Sequence, residues 1–149
     1  MKIEAFLRES PLVAITRASR TLETQLSRRF QEKGLSFSAA LILVSIFFEE
    51  PKRVTPSQLG EILSMTRGNV SHCLSSLEAQ GLLGRRIDPE DARSYQLLLK
   101  PQGKKAAMQV VRILHRMQTS FEKSIGTAQL KAMLAGIQQL ERACEPLEE

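Results

Sequence analysis

The sequence predicts a mainly α-helical fold that carries one small β-hairpin, and three observations point that way. Apolar residues recur at helical spacing through most of the 149 residues. Capping residues stand where that periodicity starts and stops. The pattern turns to short strands at one place, Leu82 to Ile87 and Tyr95 to Lys100.

The elements follow in order. Ser10-Pro11 suits an N-cap and first helical position, and Leu12, Ile15, Leu22, Leu26 and Phe30 then recur until Gly34. Ser36 can cap a second helix through Phe48, apolar nearly all round and therefore central to the core; Pro51 stops its extension. Thr55-Pro56-Ser57-Gln58 is a capping box with proline at the first helical position. It opens a short third helix with Leu59, Ile62 and Leu63 on one face. That helix ends near Ser64-Met65, and Thr66 caps the next, the loop length of a helix-turn-helix.

The fourth helix hides Val70, Cys73, Leu74 and Leu77, at i, i+3, i+4 and i+7, and Gly81 closes it. Two short strands then flank DPEDARS, which is too polar and too long for a tight turn and should protrude as a loop. Pro101 opens a fifth helix with Ala107, Val110, Val111, Leu114, Met117 and Phe121 on its apolar side, interrupted at Gly126. Thr127 can cap a sixth, and Leu130, Met133, Leu134, Ile137, Leu140 and Cys144 continue the pattern to Pro146.

Composition narrows the class. With 42% hydrophobic and 25% charged residues the chain is an ordinary globular one, and its length suits a single domain over residues 1–149. The 21 Lys and Arg exceed the 16 Asp and Glu, and a net charge of +5 leans toward a polyanionic partner. Two cysteines, Cys73 and Cys144, supply neither a disulfide framework nor a four-ligand zinc site. No secretory segment opens MKIEAFLRES, so a reducing cytoplasm is expected. The longest apolar run, Ala39 to Phe48, is about half of a bilayer crossing, and no membrane partner is expected.

The outer face of the fourth helix carries the chemistry. Asn69, Ser71, His72, Ser75 and Ser76 occupy positions where a solvated helix usually shows Glu, Lys and Gln. Helix, short turn, helix and hairpin is the order of a winged helix-turn-helix, whose second helix enters the major groove of double-stranded DNA. Short side chains permit that approach, and acids would oppose it. Asn can bond an adenine edge, Arg a guanine, and Ser or Thr either bases or phosphates. The candidate DNA-binding residues are therefore Thr66, Arg67, Asn69, Ser71, His72 and Ser75, with Arg86 and Arg93 in the hairpin. In the loop, Arg85, Arg86 and Arg93 are balanced by Asp88, Glu90 and Asp91, so phosphate attraction does not explain it. Asp91, two residues before Arg93, suits an acid that orients a guanidinium toward the minor groove.

From Thr55 to Gly103 the stretch TPSQLGEILSMTRGNVSHCLSSLEAQGLLGRRIDPEDARSYQLLLKPQG resembles the MarR family of bacterial transcriptional regulators. It has that family's helix pair, L-E-x-x-G-L junction and D-P-x-D-x-R wing. The resemblance implies a homodimer that binds a pseudo-palindromic operator, usually a repressor, released by a small aromatic or phenolic effector. It assigns residues 11–33 and 101–147 to a helical dimerisation region and 36–100 to the winged lobe. Arg93 takes the place of the wing arginine, and Asp91 that of its partner. Ser64 departs from the family's frequent glycine at the interhelical turn, and Lys100 from its frequent threonine at the start of the fifth helix.

Other classes have less support. There is no GxGxxG, P-loop, HExxH or nucleophile elbow, so no catalytic residue, cofactor or enzyme activity is expected. His72 and His115 are too few for a metal site, and no ligand-binding residue is assigned. The alternatives are a winged-helix protein–protein interaction module and a cysteine-based redox-sensing regulator that uses Cys144; Cys73 lies on the core stripe.

Overall fold

A computed structural model describes residues 3–89, 91 and 95–144. The chain divides between Val111 and Arg112 into two compact units. The first contains α1 (Ile3–Glu9), α2 (Pro11–Gln31), α3 (Phe37–Glu49), α4 (Pro56–Leu63), α5 (Arg67–Ala79), β1 (Leu83–Ile87), β2 (Tyr95–Leu99) and the start of α6 (Pro101–Ile125). The second takes the rest of α6 and α7 (Thr127–Ala143). The fold is the expected one, mostly helical with a two-stranded antiparallel hairpin. No helix among the described residues is long and apolar enough to cross a membrane.

The predicted caps at Ser36, Thr55 and Thr66 hold their helix starts. Gly126, and not Thr127, is the N-cap of α7, and the Thr127 hydroxyl donates to Glu122 Oε1 at 2.7 Å. Ser36 Oγ accepts from the Ala39 amide at 3.1 Å, and Thr55 and Gln58 form the reciprocal capping box, at 2.9 and 3.3 Å. Gly81, at φ 71°, follows α5 in a conformation that favours glycine. The Leu82 amide donates back to the Leu77 carbonyl at 3.0 Å, and that of Gly81 to Glu78 at 2.9 Å. Ser64 occupies the left-handed region, at φ 51° and ψ 44°, where glycine would carry less strain.

Two further features differ from the sequence expectation. Helix α1 was not foreseen, because seven residues are too few to show a period. It packs on α2. Ser10, at ψ 115° before Pro11, joins the two with its side chain making no cap bond. The apolar stripes also overstate burial. Ile62 is 56% exposed and Phe48 66%, because α4 is short and Phe48 lies in the last turn of α3, beyond the packed layer.

In the first unit α3 is the central element, with Ala39, Ala40, Ile42, Leu43 and Ile46 buried against α2, α4, α5 and β2. Phe30 of α2 stacks on Phe37 at 6.2 Å. The stripe of α5 is entirely buried, as its spacing predicts. The hairpin is closed at its base by Leu83, Leu97 and Leu99, all buried, in the register Leu83 opposite Leu99 and Ile87 opposite Tyr95. Helix α6 approaches closely where Gly103 meets Leu82, the residue before β1. A Cβ on Gly103 would lie 2.0 Å from the Leu82 carbonyl oxygen, so only glycine fits without backbone movement. Lys100 serves the start of α6 through its backbone, its carbonyl accepting from the Lys104 amide while its own amide donates to Leu82, both at 3.0 Å.

Candidate nucleic-acid interface

The site is built on the open end of α5. Thr66 Oγ1 accepts from the Asn69 amide at 3.2 Å, and the Thr66 carbonyl accepts from Val70 at 3.0 Å. That leaves the amides of Arg67 and Gly68 at the open turn, where the helix dipole favours an anion. No acid stands in this first turn.

Arg67, Asn69, Ser71, His72 and Ser75 are all exposed. At about 3.6 residues per turn, Gly68, Ser71, His72 and Ser75 lie on the outward side, with Arg67 and Asn69 at its two margins. Asn69 Oδ1 accepts from the Cys73 thiol at 3.7 Å, which steadies the amide while leaving its nitrogen and one oxygen lone pair outward. The Cys73 thiol itself is 3% exposed. Burial pushes its pKa up, partly offset by a hydrogen bond with Ser36, as suits a core thiol. Cys144 is exposed.

Glu78, the acid on α5, is held by a partner that sequence analysis did not find. Arg85 Nε of β1 donates to Glu78 Oε1 at 2.6 Å, and Arg85 Nη1 donates to the Tyr95 hydroxyl at 2.8 Å. The guanidinium also sits 4.7 Å from the Tyr95 ring centre. The hydrogen bond to Glu78 holds Arg85 above its ordinary pKa, against the opposing effect of burial. This revises the reading of the loop charge. Arg85 belongs to the hairpin stem, and from Arg86 to Ser94 two arginines face three acids.

On the other face of the stem, Gln96 Oε1 accepts from Arg53 Nη1 at 3.2 Å, and Gln96 Nε2 donates to Asp88 Oδ2 at 3.1 Å. Arg86 is exposed opposite Gln96. Asp91 is exposed and has an interaction partner. Arg93 and Glu90 lie outside the described residues.

The comparisons agree with this geometry. The model of the MarR family matches residues 33–94, from the loop before α3 to the residue before β2. Over these residues the chain is similar to the MarR family. Among curated proteins, the HTH-type transcriptional regulator PrsX of Escherichia coli is 26% identical over 87 residues, covering 58% of this chain and 52% of that protein. The HTH-type transcriptional repressor YetL of Bacillus subtilis is 27% identical over 86 residues, covering 58% and 52%. The chain thus spans about half the length of the curated relatives it matches. Among solved structures, Staphylococcus aureus MepR in complex with DNA superposes with a TM-score of 0.83 at 16% identity, covering 90% of this chain and 98% of that one. The MarR family transcription regulator SP03579 gives 0.80 at 24% identity, covering 93% and 91%. The likeness to these structures extends the MarR fold to the helices that flank the matched residues.

Proposed function

We propose that this chain is a MarR-family, sequence-specific DNA-binding transcription regulator, a repressor that binds a pseudo-palindromic operator as a homodimer. The observation that carries the reading is the outer face of α5. It is short, polar and capped by Thr66, and its one acid, Glu78, is tied to Arg85 on the hairpin stem. A helix with that surface can approach base edges in a groove roughly 12 Å wide, with Arg67 and Asn69 suited to guanine and adenine. The net charge of +5 adds the attraction that DNA binding needs. The solved MepR–DNA complex and the names of the curated regulators support the class.

The dimer is supported by apolar surface that the chain leaves open. Ile3, Phe6, Leu12 and Leu22 in the N-terminal helices and Met133 and Leu134 in α7 are each at least a third exposed. A second copy covering residues 11–33 and 101–147 would place two α5 helices roughly 34 Å apart on successive major grooves. Release by a small aromatic or phenolic effector completes the proposal. Selection of bound sequences from a random duplex pool tests the reading, and should return a two-fold symmetric site. Affinity for that site should fall steeply as salt rises. Recovery of no enriched sequence, or affinity indifferent to salt, would overturn the reading.

A further inference from the structure

A two-stranded hairpin is marginally stable by itself and has no direction of its own. In this chain the stem is held on both faces by side chains from other elements. On the inner face Arg85 reaches back to Glu78 of α5 and bonds Tyr95. On the outer face Gln96, one rung before the last pair of the register, bonds Arg53 and Asp88 with opposite ends of one amide. Beside it the Leu97 amide donates to the Val54 carbonyl at 3.1 Å, so the segment before α4 runs along β2. Asp88 is the first residue of the loop.

We propose that Gln96 is a positioning residue for the wing: it bridges Arg53 and Asp88 and thereby fixes the direction in which the loop leaves the stem relative to the α4–α5 pair. The chemistry suits a primary amide. Its oxygen can accept from a guanidinium while its nitrogen donates to a carboxylate, and no acid or base of similar length does both. Arg53 is 43 residues away in sequence and Asp88 eight, so the bridge joins the connection before α4 to the base of the loop. A wing held in one direction has less freedom to lose when DNA is engaged, which raises affinity with no new contact. The inference rests on the DNA-binding reading for its consequence, but the bridge can be tested without DNA.

The test uses the full chain with Gln96→Ala, Gln96→Glu and Arg53→Ala. In the free protein, amide hydrogen exchange across residues 85–98 should quicken in Gln96→Ala and in Gln96→Glu, although glutamate keeps an acceptor for Arg53, because it cannot donate to Asp88. Thermal midpoints should stay close to native. On a duplex recovered by the native chain from a random pool, Gln96→Ala should bind about three- to tenfold more weakly. Adding Arg53→Ala to it should cost less than the two single losses together. Native exchange rates in Gln96→Ala, or native affinity with quickened exchange, would overturn the positioning role. If the native chain selects no duplex, the DNA-binding reading fails, and the exchange rates alone decide whether the bridge holds the stem.

Discussion

Arg85 on β1 lies 2.6 Å from Glu78 on α5, so the one acid of α5 is also a point at which the hairpin is fastened to that helix. The two side chains are 31% and 30% exposed, which places the pair between a surface ion pair and a buried one. Glu78→Ala should lower stability by about 0.5–1 kcal/mol in a denaturant titration. It should also weaken DNA binding severalfold, although it makes the helix more positive. Phosphate attraction alone predicts tighter binding, and a tighter complex would mean that Glu78 is only a repulsive charge.

Gly103→Ala tests the packing of α6. The added Cβ would meet the Leu82 carbonyl at 2.0 Å, and a backbone atom cannot swing away as a side chain can. A loss of about 1–3 kcal/mol is expected from chemical denaturation. Native stability would show that the helix shifts at no cost.

The thiols should separate by reactivity. Burial raises the Cys73 pKa, so near pH 8 its thiol is overwhelmingly protonated in the fold, and a thiol reagent should modify exposed Cys144 first. Cys73 should react only on unfolding. The sign for stability follows: a raised folded pKa favours the native state below the unfolded pKa, and that contribution is lost as pH rises through the folded value. Mass spectrometry of the labelled native protein checks it; rapid labelling at Cys73 would reopen a redox role for α5.

The wing separates orientation from attraction by charge. If Asp91 orients Arg93 into the minor groove, Asp91→Ala should weaken operator binding while making the loop more positive. Arg93→Ala should weaken it as well, and the double variant should lose less than the sum. Titration at fixed salt decides it, and tighter binding by Asp91→Ala would leave Arg93 an ordinary surface cation.

What the sequence made legible was local. The capping box at Thr55, the cap at Thr66, the buried stripe of α5 and the Gly81 turn each depend on residues within a few positions, where periodicity and capping chemistry act. The short outer face of α5 could be read for the same reason. Partnerships between elements were out of reach. Glu78 with Arg85, and Gln96 with Arg53, are set by how the hairpin packs, and in sequence each looks like an ordinary surface charge or amide. Gly103 gave a faint signal as a glycine in the first turn of a helix, where it costs helix propensity and so asks for a reason. The close approach to Leu82 supplies it.

The central claim is that the outer face of α5 reads bases, and the most direct measurement is the ratio of affinities for a selected duplex and a random one, in the native chain and in Arg67→Ala and Asn69→Ala. The native ratio should be on the order of a thousandfold or more at moderate salt. Each variant should lose about 1–3 kcal/mol on the selected duplex and much less on the random one, so the ratio falls by roughly five- to 150-fold. Equal losses on both duplexes would make these residues phosphate contacts, and an unchanged ratio would contradict base reading by this face of α5.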